Sequence, residues 1–336
     1  MTAIAPVTTT TDALLPVYRR LPLEIVGGEG VRLTDAEGRS YLDFVSGIAV
    51  NALGYGDPGL VDAMRAAAEG LIHVSNLYAT APGRMLAESL VAKSFASSVF
   101  FCNSGAEANE GAFKFARRWA RTTRDAGATE IIALRGSFHG RLFGSLAATD
   151  RPAYRAPFRP LAPGISIVER DIDAIEGALA AGTVAAVIAE PVQGEGGVRV
   201  LAPEFLRALR QVTRAHGVAL ILDEVQCGLG RTGSFFAYEQ AGIEPDLLTL
   251  AKPLAGGLPM GAVLLSADIA ATIKPGDHAT TFGGGPFVAS VANYVVDRLS
   301  DPELLESVRE NGAWLGGRLA SMAQRLDRVR AARGMG

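Results

Sequence analysis

The sequence predicts an α/β protein whose larger part is a mainly parallel sheet flanked by helices, and three observations carry that prediction. From residue 60 onward, stretches of helical periodicity alternate with short apolar runs, the pattern of an α/β domain. The runs at 98–102, 131–134, 184–189, 218–222, 247–251 and 260–265 have the length of strands rather than helices. Most of them give way at once to a turn rich in glycine, small or polar residues.

In chain order, residues 21–44 read differently from the rest. Gly27-Gly28 and the turn at 35–38 separate short alternating stretches, which predicts a small antiparallel meander. An aliphatic loop follows at 46–54, and any single residue in it reads as plain packing. Helices are expected over 60–70 and 84–94, and a longer one opens near Ser104 and runs to about Arg124. Another is expected over 203–216, and a last long one over 303–326.

With 49% hydrophobic and 20% charged residues, the 336-residue chain can bury a substantial core in one large domain or two. Its 32 basic and 35 acidic residues are spread without long blocks and leave a net charge of −3, which gives no footprint for nucleic acid or an anionic membrane. Cys102 and Cys227 lie far apart in apolar contexts and read as reduced core thiols; the four scattered histidines supply no metal partners for them. The Thr-rich start lacks the basic and apolar regions of a signal peptide, and no apolar run reaches membrane-spanning length, so a cytoplasmic protein is expected.

Two residues suggest chemistry. Asp223 closes one apolar run, where a carboxylate needs a cation or donors to offset desolvation. Lys252 closes another just before Pro253, where burial disfavours the ammonium and leaves a nucleophilic amine. The pair suits a pyridoxal 5'-phosphate (PLP) site, in which the lysine condenses with the cofactor aldehyde and the carboxylate keeps the pyridine nitrogen protonated. A structural ion pair, or two unrelated strand-end charges, reads the same residues equally well.

Further candidates sit at the other strand ends. The turn Ser104-Gly105-Ala106 opens a helix, and free N–H groups there can hold an anion, although such turns are also ordinary caps. Phe138 offers a flat face for stacking or is simply a core aromatic. His139 reads as a site-wall residue. Arg141 can grip a carboxylate with two prongs, and Glu190 and Glu195 flank a Gly-rich loop as pocket or surface acids.

The wording LDEVQCGLGRTG around Asp223 and PDLLTLAKPLAGGLPMGAV around Lys252 resembles the class III aminotransferases of fold type I, most closely their acetylornithine branch. The resemblance runs from about residue 21 to about residue 334. It implies a large PLP-binding domain with a mainly parallel seven-stranded sheet and a small α+β domain made from the two ends of the chain. The expected division is 1–58, 59–300 and 301–336. It also implies a homodimer with active sites at the subunit interface, small-molecule amino acid and 2-oxoacid substrates, and transfer of the terminal amine of N2-acetyl-L-ornithine to 2-oxoglutarate.

Residue by residue, the resemblance places the cofactor phosphate on Gly105 and Ala106, the ring between Phe138 and Val225, and Gln226 by the ring oxygen. Glu224 joins the cofactor-binding set. Arg141 holds the substrate carboxylate, with Glu190 beside it, and Glu195 masks a second arginine. Thr281 reaches the partner subunit's cofactor, and Thr280 stands where most relatives have a serine that contacts the acyl group. Gly285 departs from the family's usual asparagine.

Beyond Val329 the family continues into a strand of the C-terminal small domain and the second arginine. The sequence is therefore expected to be a fragment, with uncovered apolar surface and a tendency to aggregate. Succinyldiaminopimelate, ornithine and 4-aminobutyrate are the alternative substrates. A catalytically inactive PLP-fold binding protein is the alternative class. A nicotinamide dehydrogenase is excluded, because no G-x-G-x-x-G follows the first strand of the α/β region.

Overall fold

A computed structural model describes residues 13–336. The Thr-rich start, read above as lacking a signal peptide, lies outside the described residues. The N-terminal meander forms as expected, with β1 (Ile25–Glu29), β2 (Arg32–Asp35) and β3 (Ser40–Leu42) paired antiparallel.

Nine further strands follow: β4 (Ser98–Cys102), β5 (Glu130–Leu134), β6 (Ile165–Val168), β7 (Val184–Ala189), β8 (Val192–Gln193), β9 (Arg199–Val200), β10 (Ala219–Asp223), β11 (Leu247–Leu250) and β12 (Gly261–Leu265). Seven of them build one sheet in the order β4-β12-β11-β10-β7-β5-β6. All neighbours run parallel except β12, which is antiparallel to β11 and β4. The sequence reading has no counterpart for β6 or for the small β8–β9 hairpin.

The apolar runs are continuous because both faces of the sheet are covered. Ile132, Leu134, Val187, Leu220, Leu222 and Leu248 face one apolar layer. Leu86, Leu90, Leu209, Val291 and Val295 close it from the helices Ala81–Ala92, Pro203–Ala215 and Pro286–Leu299. Alternate residues Ile131, Ala133, Ile188, Ala219, Ile221 and Val263 face the other layer. The helix Gly105–Thr123 lies on it through Ala108, Ala112, Ala116 and Ala120, whose small side chains permit close approach.

The final helix spans Pro302–Arg325. The strand expected from Val329 does not form. Residues 329–336 run without regular structure, and no described strand pairs with them; Arg333 Nε donates to the Gly197 carbonyl at 3.0 Å instead. No helix among the described residues is long and apolar enough to cross a membrane.

Candidate active site

The strands β4, β5, β7, β10 and β11 release their chains at one edge of the sheet, and the loops that follow them line a single cavity of about 430 Å³. In a parallel sheet this carboxyl edge is where ligand sites form, since side chains from several loops converge there. Gly105, Ala106, Phe138, Arg141, Glu190, Glu195, Asp223, Val225, Gln226 and Lys252 all reach this cavity, as the sequence predicts.

Asp223 ends β10 almost fully buried and is met by donors rather than by a lysine or arginine. Its Oδ2 accepts from Asn109 Nδ2 at 2.8 Å and lies 2.7 Å from His139 Nδ1, while Oδ1 accepts from the Val225 N–H at 3.0 Å. Asn109 is fixed in turn, because Thr249 Oγ1 donates to its Oδ1 at 2.8 Å and its amide also donates to the His139 carbonyl. Lys252 forms no ion pair among the described residues, so the structural-pair reading of Asp223 and Lys252 does not hold.

Neither Asn109 nor Thr249 stands out in the sequence reading. The signals were present: Asn109 follows Gly105 by one helical turn, and Thr249 is the lone polar residue in the run of β11. His139, read as a wall residue, bonds to the central carboxylate; its Nε2 is buried without a protein partner.

Lys252 follows β11 with φ at +36°, a left-handed conformation that a side chain bearing Cβ adopts only where its surroundings enforce it. Burial lowers its pKa, and the charges of Asp223, Glu195 and Glu190 oppose that shift. Burial thus makes the Lys252 ammonium easier to deprotonate than a free lysine, and the deprotonated amine is the form that acts as nucleophile and base.

Glu190 follows β7, nearly buried, and its Oε1 accepts the Phe138 N–H at 2.9 Å. Burial, and then the neighbouring charge of Asp223, hold its carboxyl proton well above the usual range. It therefore pins the Phe138 backbone from within the cavity.

The helix Gly105–Thr123 starts on the cavity wall, with Ser104 Oγ capping it by accepting from Glu107 N at 3.2 Å. A Cβ on Gly105 would come within 2.6 Å of Val225 Cγ1. Only glycine lets the helix terminus close against the Val225 turn, leaving its N–H groups facing the cavity. Gly140, at φ +134°, likewise brings the Phe138 loop against Ala106.

These residues fit PLP. A helix N-terminus suits its phosphate, Phe138 and Val225 offer apolar surface for the ring, Asp223 is a buried acceptor for the ring nitrogen, and Lys252 supplies the amine.

Three expected site residues are placed elsewhere. Glu224 does not line the cavity. Its carboxylate accepts from the N–H groups of Ala237 and Tyr238, each at 2.7 Å, and burial pushes its pKa up to about 8. Adjacent side chains of an extended segment point to opposite sides, so only one of Asp223 and Glu224 can face the site. Thr280 and Thr281 line a separate cavity of about 730 Å³ with His73, Asn76 and Phe101. Thr280 Oγ1 accepts from Asn103 Nδ2 at 3.1 Å, and Asn103 lines the first cavity, so the two spaces share a wall.

At the rim, Arg141 and Glu195 are exposed. The Glu195 side chain forms no ion pair among the described residues, and its backbone carbonyl accepts from Arg151.

The family model of the class-III aminotransferases matches residues 16–336. The chain belongs to this family. As a class-III aminotransferase it is a PLP-dependent transaminase acting between amino acids and 2-oxoacids. Similar curated proteins include the mitochondrial acetylornithine aminotransferase of Alnus glutinosa, 47% identical over 327 residues, which are 96% of this chain and 72% of that one. The acetylornithine aminotransferase of Methanocaldococcus jannaschii is 45% identical over 96% of this chain and 81% of its own.

Among solved structures, ornithine aminotransferase from Toxoplasma gondii superposes with a TM-score of 0.91 at 31% identity, covering 96% of this chain and 78% of that one. N-acetylornithine aminotransferase from Stenotrophomonas maltophilia K279a gives 0.81 at 39% identity, over 94% and 79%. The sheet order and the strand-edge cavity of this class-III aminotransferase are thus those of a fold type I enzyme.

Proposed function

We propose that this aminotransferase moves the terminal amino group of N2-acetyl-L-ornithine to 2-oxoglutarate, giving N-acetyl-L-glutamate 5-semialdehyde and L-glutamate. The observation that carries the reading is one cavity that holds both a desolvated Lys252 amine and the Arg141 guanidinium. It has a place for an ω-amine and a place for the carboxylate of the same substrate. The kinship to curated acetylornithine aminotransferases supports this donor over ornithine.

When bound, PLP supplies an aldehyde that takes up the amine and a protonated ring that draws electrons from the reacting carbon. Asp223, fixed by Asn109, His139 and Val225 N, would accept from the ring nitrogen and keep its proton in place. Lys252 Nζ, whose pKa burial lowers, would take the proton from the substrate carbon and return it on the other side of the transfer. Phe138, held by Glu190, would offer its face to the ring. Arg141 binds the donor carboxylate and Glu195 stands ready to screen a second cation. Gly105 and Ala106 would hold the phosphate, and Gln226 would lie by the ring oxygen.

The reading extends to a homodimer in which Thr281 completes the partner's phosphate site and Thr280 meets the acyl group. In the small-domain division, residues 1–58 and 301–336 flank the large domain at 59–300.

The test compares initial rates with N-acetyl-L-ornithine, L-ornithine, N-succinyl-diaminopimelate and 4-aminobutyrate, all with 2-oxoglutarate. The expected order puts N-acetyl-L-ornithine first in kcat/KM by about tenfold or more, the size of one well-placed contact. A preference for another donor refutes the substrate and keeps the chemistry; no turnover with any donor, on PLP-loaded enzyme, favours a binding protein.

A further inference from the structure

Arg141 has surroundings that the proposed function does not use. Its guanidinium carbon lies 3.7 Å from the centroid of the Tyr154 ring, against 5.9 Å for Phe138, and it forms no ion pair among the described residues. A guanidinium over an aromatic face is attracted by the ring's quadrupole while its N–H edge stays free for a ligand.

Core packing does not account for Tyr154. The residue is 37% exposed, and its hydroxyl forms no hydrogen bond among the described residues. The residue stands on the single helical turn Pro152–Arg155, and the segment entering that turn is fastened on two sides. Asp150 Oδ2 accepts the Gly136 N–H at 2.8 Å, which ties it to the loop carrying Phe138 and Arg141. Arg151 donates to the Glu195 carbonyl, which ties it to the loop carrying Glu195. The turn that carries the ring is thereby entered from a segment tied to both loops that bear Arg141 and Glu195.

We propose that Tyr154 is a positioning residue for substrate specificity: it holds Arg141 ordered before the substrate arrives, so that the donor carboxylate meets a cation already in place. An arginine without such a support gives up its rotamer freedom on binding, and the loss appears in affinity. Tyr154 therefore acts on carboxylate binding and not on the chemical step. The inference rests on the reading of Arg141 as the carboxylate site.

The experiment follows the absorbance change of PLP-loaded enzyme with donor alone, over a range of donor concentrations. It compares N-acetyl-L-ornithine with N-acetylputrescine, the same molecule without its carboxylate. Tyr154→Ala should raise the half-saturating concentration of N-acetyl-L-ornithine about five- to tenfold, the size of a partly desolvated cation–π contact. The limiting rate and the half-saturation for N-acetylputrescine should stay within about twofold, and Tyr154→Phe, which keeps the ring, should behave as the parent enzyme.

Arg141→Ala separates the two levels of the argument. If it abolishes the preference for the carboxylate donor while Tyr154→Ala leaves that preference intact, the Tyr154 role is wrong and the Arg141 reading stands. If Arg141→Ala leaves the preference intact, both fail. Equal losses with both donors in Tyr154→Ala would make the ring structural and overturn the inference.

Discussion

The floor of the Lys252 cavity and its rim are built on opposite principles. At the floor, Asp223, Asn109, Thr249 and Glu190 are buried, and each is bonded to named partners. At the rim, Arg141 and Glu195 are exposed; their charges form no ion pair among the described residues, and Arg141 leans on an aromatic ring. The difference separates two tasks. Groups that act on developing charge gain from a fixed, dry surrounding, where no reorganisation is needed at the moment of reaction. Groups that select among substrates must remain open to a ligand's charge.

That contrast breaks most sharply at Lys252. Replacing it with Ala should lower transamination on the order of 10⁴-fold, since nucleophile and proton carrier disappear together. Stopped-flow or long-incubation assays with N-acetyl-L-ornithine would measure it, and a loss under tenfold would remove Lys252 from the mechanism. Asp223→Ala should follow at roughly 10² to 10³-fold in kcat. It should also destabilise the fold by about 1–3 kcal/mol in thermal unfolding, because Asn109 and His139 lose their acceptor.

At the rim, Arg141→Lys should raise the KM for N-acetyl-L-ornithine about tenfold with kcat little changed, since a lysine keeps the charge and loses the fork. A matching fall in kcat would move Arg141 from the rim to the floor.

The smallest effect concerns Glu190 and depends on pH. Folding raises its pKa above the ordinary 4.5. As pH climbs from about 4.5, the unfolded chain releases this proton while the folded chain keeps it, so stability is lost with rising pH across that window. Glu190→Gln keeps an acceptor for the Phe138 N–H and removes the titration. In the cofactor-free protein it should be nearly neutral at about pH 5 and measurably more stable than the parent at about pH 8. A gap that does not widen with pH would contradict the buried, proton-holding role.

The two regions also differed in how readable they were. Strand ends are marked in sequence by a polar residue closing an apolar run, so Asp223, Lys252 and Glu190 stood out and the carboxyl edge of the sheet could be expected. The second layer of the floor was hidden. Asn109 belongs to a helix and Thr249 to a different strand, and only the fold brings Thr249 onto Asn109 and Asn109 onto the Asp223 carboxylate. Glu224, which the resemblance assigns to the cofactor-binding set, does not line the cavity, because its carboxylate accepts from the N–H groups of Ala237 and Tyr238. The strand β6 escaped because Ile165, Ser166, Ile167 and Val168 form a run interrupted by a polar residue after a Pro-rich loop. At the rim the obstacle is of another kind: the role proposed for Thr281 involves a second subunit, which one chain's pattern does not contain.

The most direct test of the account is to reduce the PLP-loaded enzyme with borohydride, digest it, and locate the cofactor mass by peptide sequencing. The account places it on the peptide containing Lys252, with no label there when N-acetyl-L-ornithine has first been added without an oxoacid. A cofactor mass on any other lysine, or a Lys252 label that N-acetyl-L-ornithine does not displace, would contradict it.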